Sequence, residues 1–401
     1  MTKILFISGD NIPHIGGKST HILDLMNGMK NEDVSVMLVS ATEVNKKEYY
    51  IYLSFIRIFK YIDVHIYEYY KKKILGYLIL KKVKKILKNN TIDYISYQDA
   101  WIASIVGKKI KNKNLKSILT MHTYLGLENS IDKSETFFSE KINYKTYLEE
   151  VDSLRQVDSV IAVDSRIKNH ILEKLKEYDI KPSVTSIKNF TDINVFSPIN
   201  DIEKNNLKST LNIPMDKFVI SCSRRLVKKN GVINAVKSMK FLENDNIILL
   251  IAGEGNEKNE ILKIVKEEKI SEKVFFKGSL NKEEILNLYH VSDVSLVPSV
   301  TVNGLQEATS ISAIESMACG IPTVASSIGG LREVIEHNVS GVLVNENDPM
   351  DIAIAINNLI RNKEFKKSIG IKSRETIKKD FSIESATKNY LNEFYKIKKE
   401  I

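Results

Sequence analysis

Short β-branched runs alternate with longer amphipathic ones along this chain, and the alternation occurs twice. In the first series, residues 4–8, 34–39, 64–67, 94–97, 118–121, 160–163 and 184–187 read as strands. Residues 19–30, 74–87, 100–111, 144–156 and 166–176 read as the helices between them. The strand runs are apolar throughout, as expected of strands covered on both faces. Strand, helix and strand in repetition call for a parallel sheet with helices on either side. The rhythm breaks at Asn189-Phe-Thr-Asp-Ile-Asn-Val-Phe-Ser-Pro198 and then restarts, with strands expected at 218–222, 247–252, 274–276, 294–297, 323–325 and 342–344. The pattern predicts an α/β protein of two doubly wound parallel-sheet domains, over 1–196 and 197–381, with a hinge near 189–200. Ligands of such sheets sit beyond the strand C-termini, so two facing domains would enclose a cleft. The last segment, 382–401, has helical spacing at Ala386, Tyr390, Leu391, Phe394, Tyr395 and Ile397 and can pack on either domain.

Composition narrows the class. A chain of 401 residues accommodates two domains, and 43% hydrophobic with 27% charged residues describes a soluble globular protein rather than a disordered one. The start, Met1 to Asp10, reads as a buried strand and not as a signal peptide. No apolar run approaches the roughly 18 residues of a spanning helix. Cys222 and Cys319 fall in an expected strand and helix without metal spacing, which fits a reducing cytoplasm. Residues 1–196 carry 30 Lys and Arg against 23 Asp and Glu, the remainder 29 against 27. The excess gathers between Lys71 and Lys88, where lysines interleave with Ile and Leu and no acidic residue occurs. Two readings follow: a helix packed on the sheet with a solvated lysine face, or a basic amphipathic helix against an anionic membrane. Nucleic acid is the weaker reading of this charge, since no arginine-rich or aromatic-interleaved motif is present.

The densest candidate site is Gln306-Glu307-Ala-Thr-Ser310-Ile311-Ser312-Ala-Ile-Glu315-Ser-Met-Ala-Cys-Gly320-Ile-Pro322. Glu307 falls in a loop, Ser310 and Ser312 start a helix, Glu315 lies on it, and Gly320-Ile321-Pro322 stops it. A helix start presents unpaired N–H groups and the positive dipole end, which suits a diphosphate. Ser312-Ala-Ile-Glu315 is also a capping box, which would compete for the same Glu315 side chain.

Gly16-Gly17-Lys18-Ser19-Thr20 resembles the tail of a phosphate-binding P-loop, but Ile12 stands where that loop needs glycine. What remains is a Gly-Gly turn opening a helix. His122 ends an expected strand, at the ligand edge of the first sheet, although a lone histidine is commonly structural. Ser223-Arg224-Arg225-Leu-Val-Lys228-Lys229 places cations at a strand end, where they would neutralise a diphosphate. Gly253-Glu254-Gly255 ends the next strand as a generic turn.

Taken in order, these pieces resemble a retaining glycosyltransferase of family 4, with the GT-B fold of two Rossmann-like domains facing across a cleft. The resemblance spans nearly the whole chain. It rests on Gly16-Gly17, His122, Asn189-x-x-Asp192, Arg224 with Lys229, Gly253-Glu254-Gly255, Val274-x-Phe276-x-Gly278 and Val297-Pro298-Ser299. Glu307-x7-Glu315 in its Pro-Ser and Gly-x-Pro frame, and Gly329-Gly330-x-x-Glu333, complete it. It implies that Glu307 contacts the donor sugar and Glu315 the ribose. Backbone N–H groups around Ser310, Ile311 and Ser312, beside Gly253 and Gly255, would bind the donor diphosphate, with Arg224 and Lys229 stabilising it as it leaves. His122 would reach the transferred sugar, Gly16 and Gly17 would line the acceptor side, and the helix over 382–401 would cross back onto the N-terminal domain. The donor would be a nucleotide-sugar, UDP by default, and the acceptor a cell-surface or lipid-linked glycan. No Asp-x-Asp motif occurs, in keeping with metal-independent, cofactor-free chemistry in the cytoplasm, with peripheral contact at the inner membrane face as a candidate.

Ala308 and Ser310 replace the usual glycines, Phe190 replaces the glycine of the hinge Asn-Gly, and Ser-Arg-Arg replaces Gly-Arg. Arg224 is preferred over Arg225 for its five-residue separation from Lys229. Competing classes are a non-hydrolysing UDP-sugar 2-epimerase, which lacks the Glu-x7-Glu frame, a non-catalytic subunit of the same fold, and a membrane-surface or nucleic-acid binder.

Overall fold

Six parallel strands form a first sheet: β1 (Thr2–Ile7), β2 (Val34–Val39), β3 (Tyr94–Tyr97), β4 (Lys116–Met121), β5 (Ser159–Ala162) and β6 (Ser183–Ser186), in the order β2-β1-β3-β4-β5-β6. Six more form a second: β7 (Phe218–Ser223), β8 (Ile247–Ala252), β9 (Val274–Gly278), β10 (Val294–Val297), β11 (Thr323–Ser326) and β12 (Val342–Val344), in the order β12-β11-β10-β7-β8-β9. The computed structural model describes residues 1–14, 16–110, 115–123 and 138–399. Two units result, residues 1–188 with 386–401 and residues 189–385; the sequence boundary was expected after residue 196 and the returning helix over 382–401. The expected helix end at Lys111 and the final residue Ile401 lie outside the described residues.

The central strands are apolar because both faces are covered: Ile4, Leu5, Phe6 and Ile7 of β1 are fully buried, as are Ile247, Leu249 and Ile251 of β8. In each sheet the chain reverses its direction of travel once. The reversal falls between β1 and β3 in the first sheet and between β7 and β10 in the second. At such a switch point the loops after the two strands diverge to opposite faces and leave a crevice at the strand ends.

One expected strand is absent. Residues 64–67 open the helix Val64–Asn89. Asp63 caps that helix, accepting from the N–H groups of His65 at 2.7 Å and Ile66 at 3.1 Å. The β-branched run there imitated a strand, and the capping carboxylate overrode it. The apolar side of the lysine stretch is packed inside the first unit, as the first of its two readings expects. Leu78, Ile79, Leu80 and Val83 are buried while Lys82, Lys84, Lys85 and Lys88 are exposed.

The helix Ile383–Lys399 packs its later turns on the first sheet. Tyr390 Oη lies 3.1 Å from His21 Nε2, Ser159 donates to Glu393 at 2.6 Å, and the Phe394 ring lies 5.1 Å from that of Tyr94.

Candidate functional site

The switch point of the second sheet gathers most of the residues singled out in that half of the sequence. Arg224 follows β7 directly, and Ser299 follows β10. The Arg224 guanidinium donates to Ser299 at 3.0 Å, Asn230 at 2.8 Å, Ser310 at 2.8 Å and Ser312 at 3.2 Å. It also pairs with Glu307 at 2.9 Å. Burial alone would raise the Glu307 carboxyl, but Arg224, then Lys229 and Arg225, hold it below the usual range. Glu307 is therefore ionised at neutral pH. Arg224 is the arginine turned into this network, and Arg225 is exposed.

Helix Ile311–Ala318 starts at this point. Ser310 is its N-cap residue but makes no side-chain cap, because its hydroxyl serves Arg224 and Ser312 instead. The capping box anticipated at Ser312–Glu315 is thus not the cap of this helix: Ser312 already lies inside the first turn. Glu315 is buried one turn further on, close enough to Tyr289 to add to the rise that burial imposes on that phenol. An uncapped helix start, two adjoining cations and flanking carboxylates make a site for a dianionic group carrying hydroxyls.

The surrounding backbone is held by contacts that only certain residues allow. A Cβ on Gly253, whose φ is 142°, would stand 2.0 Å from the Arg224 carbonyl oxygen, so this glycine lets two strand exits touch beneath the arginine. Gly255 approaches the Leu226 carbonyl in the same way. Their presence in the sequence therefore has a packing cause. Gly330 donates to the Glu307 carbonyl at 2.9 Å, and a Cβ there would lie 2.5 Å from the Ala308 carbonyl carbon. Asn189 clamps the other side. Its backbone N–H donates to Thr309 Oγ1 at 3.1 Å and its side-chain amide to the Thr309 carbonyl at 2.6 Å. Asn189 stood out in sequence only as part of Asn189-x-x-Asp192 at the expected hinge, with no partner assigned to it. Ser299 was visible only as the end of the Val297-Pro298-Ser299 motif, without a role, and Asn230 and Thr309 were given none.

The first sheet's switch point has its own cluster. Gly16 precedes and Gly17 opens the helix Gly17–Lys30. Lys18 pairs with Asp10 at 2.6 Å and with Asp99, which also accepts from Ser8 at 2.9 Å and Gly9 N–H at 2.7 Å. Burial would lower the Lys18 ammonium, yet the two carboxylates raise it above its ordinary value. Asp99 is held low by Lys18 against its own burial. His122 follows β4, with Nε2 3.2 Å from Gln98 Oε1 and its ring 4.7 Å from that of His21, edge to face. Burial, then His21 and Lys18, push it well below 6.5, so it is neutral at physiological pH. The Asp10–Lys18–Asp99 cluster escaped the sequence reading because its partners are distant in sequence.

Residues 15–195 match the model Glycosyltransferase Family 4, and residues 203–376 match Glycosyl transferases group 1. The chain is 25% identical over 408 residues to an uncharacterized glycosyltransferase of Methanocaldococcus jannaschii, covering 98% of each. It is 24% identical to the N-acetyl-alpha-D-glucosaminyl L-malate synthase of Bacillus anthracis, covering 84% of each. Among solved structures it resembles sucrose-phosphate synthase from Thermosynechococcus elongatus, with TM-score 0.76 and 18% identity over 99% of both chains. It also resembles Anabaena HepE, solved with UDP-glucose, with TM-score 0.73 and 16% identity over 99% of this chain and 100% of that one. These likenesses establish the fold as GT-B.

Proposed function

The chain belongs to the family 4 glycosyltransferases, and from that premise we propose that it moves a hexose-type sugar from a nucleotide-sugar, with UDP as the base, to a cell-surface or lipid-linked glycan, retaining the anomeric configuration. The observation that carries this reading is Arg224 bridging Glu307 and the two serines at the start of helix Ile311–Ala318. Diphosphate oxygens would replace the serine hydroxyls on the guanidinium and accept from the backbone N–H groups of the first turn. Glu307 is the group for the donor sugar hydroxyls and Glu315 for the ribose. As the bond from the anomeric carbon to the diphosphate breaks, negative charge builds on the leaving oxygen, and Arg224 and Lys229 meet it without a metal. The acceptor hydroxyl attacks from the same face, and its proton passes to the departing phosphate, so no separate general base is required. Gly16 and Gly17 are assigned to the acceptor. His122 acts as a neutral hydrogen-bonding group for sugar hydroxyls, with one ring nitrogen donating and the other accepting, and not as an imidazolium acid.

A panel of nucleotide-sugars tested for thermal stabilisation and hydrolysis, on the natural protein and on Glu307→Ala, tests the reading. One nucleotide-sugar should raise the melting temperature, and the variant should still bind nucleotide while losing turnover. Stabilisation by none of them would sink it.

A further inference from the structure

Of the chain's 59 Lys and Arg and 50 Asp and Glu, residues 46–88 hold twelve and three. The whole net charge of +9 therefore resides in this segment, and the rest of the chain is neutral. The same segment exposes apolar surface. Ile51, Phe55, Ile58 and Ile62 follow at steps of four, three and four, which is one face of a helix. Ile51 and Phe55 lie on the helix Lys46–Ile56 and Ile62 ends the helix Phe59–Ile62, neither of which buries a residue; Arg57 and Ile58 between them keep right-handed helical dihedrals, so the face runs on. Such a stripe ordinarily turns inward. Here the four side chains are 59%, 75%, 63% and 59% exposed, flanked by Tyr50 at 65% and Tyr61 at 79%. The inward contacts are made by the other edge. Glu48 pairs with Lys81 at 2.9 Å, and the Tyr52 and Phe59 rings pack on Tyr77 and Tyr70 at 6.3 and 5.5 Å.

We propose that this surface docks on an anionic lipid bilayer, with the stripe through Ile51, Phe55, Ile58 and Ile62 entering the headgroup–acyl boundary and the surrounding lysines lying on the headgroups. No described helix is long and apolar enough to cross a membrane, so the contact is interfacial. The stripe supplies insertion, and the helix Val64–Asn89 supplies charge, because its own apolar side is already buried. Charge selects the occupant. A second copy of the chain would bring one +9 face against another. Nucleic acid sites favour the planar fork of arginine, whereas eleven of these twelve cations are lysine. Diffuse negative headgroups suit such point charges, and aliphatic side chains interleaved with tyrosine suit the interface. The docking is independent of which donor the protein uses.

The test is co-sedimentation of the full chain with vesicles of phosphatidylcholine alone and of phosphatidylcholine with phosphatidylglycerol. The protein should sediment with the anionic vesicles, and less so as salt rises. Phe55→Ser with Ile58→Ser and Ile62→Ser should lower the partition coefficient about tenfold or more. Lys84→Glu with Lys85→Glu and Lys88→Glu should lower it on anionic vesicles by a similar factor, about tenfold. Both triple variants alter exposed side chains, so their melting temperatures and donor hydrolysis should match the natural protein; equal hydrolysis separates loss of docking from loss of the transferase site. Four results would overturn the proposal: no binding to anionic vesicles, equal binding to neutral ones, unchanged binding by the serine variant, or a dimer in light scattering that this variant abolishes. Displacement from vesicles by single-stranded nucleic acid at equal charge concentration would overturn it as well.

Discussion

The two units place their polar clusters at the same topological position, yet the clusters have opposite electrical character. After β7 and β10, Arg224, Arg225 and Lys229 surround one carboxylate, Glu307, beside the positive end of a helix. After β1 and β3, one ammonium, Lys18, is shared by two carboxylates, Asp10 and Asp99. Sheet topology fixes where a crevice opens but leaves its charge to the residues in the loops. The positive charge of the second unit's crevice suits an anion. The first has spent its cation internally and presents carboxylate, hydroxyl and neutral imidazole groups, which suit a hydroxyl-bearing ligand rather than a phosphorylated one.

The strongest way to break this contrast is Arg224→Lys. A lysine keeps the charge but cannot bridge Asn230, Ser299, Ser310, Ser312 and Glu307 at once. Transfer should fall about a hundredfold or more, read as kcat against a nucleotide-sugar. A variant with full kcat would show that charge alone suffices there.

In the first unit the corresponding change is Lys18→Met, which strands the buried Asp99. It should destabilise the protein by about 3 kcal/mol in denaturant titration, since breaking a buried pair leaves an uncompensated charge. The melting-temperature rise given by a nucleotide-sugar should be unchanged. If that rise disappears instead, the two clusters do not have separate duties.

How much of this contrast was legible in sequence depends on the range of the interactions. Strand placement was readable in the sheet centres because burial on both faces writes itself as local apolar runs, as in β1, β8 and β10. The less buried edge strands β6 and β9 were placed by their β-branched or aromatic content and their position in the alternation. Residues 64–67 misled because a β-branched first turn looks like a strand unless Asp63 is recognised as its cap. In the second unit the Arg224 and Glu307 segments were visible, since each is a dense local motif. Their joining through Ser299 was not visible, because it depends on strand order. Of the Asp10–Lys18–Asp99 cluster only Lys18 sat in a noted local pattern, and its pairing with two carboxylates from other segments left no trace there.

A smaller effect is expected at Asn189, whose amide holds the loop before helix Ile311–Ala318. Asn189→Ala loses the 2.6 Å bond to the Thr309 carbonyl, while the backbone bond to Thr309 Oγ1 remains. Stability should fall by about 1 kcal/mol. Nucleotide-sugar affinity should weaken severalfold by calorimetry, because the helix start loses one of its two clamps. Unchanged affinity would leave Asn189 as a hinge residue with no part in the second unit's site.

The smallest effect separates the units by pH. His122 in the first unit and His290 in the second are both held below 6.5, His122 by burial with His21 and Lys18 and His290 by burial, against its bond to the Ser197 carbonyl. A histidine depressed in the folded state is protonated more readily when unfolded. Between its folded value and 6.5 the unfolded chain therefore binds more protons, and stability falls as pH drops. Glu307 and Asp99 are depressed carboxylates, and their contribution is lost only at lower pH, as each is protonated in the fold. The window just below 6.5 thus belongs to the histidines. Buried His122 should contribute up to about 1 kcal/mol over the first pH unit there, and half-exposed His290 less. His122→Asn should flatten the stability profile in that window by its own share and leave the share of His290. If the slope is unchanged in His122→Asn, the imidazole is protonated in the folded protein, and the first unit's crevice carries a cation after all.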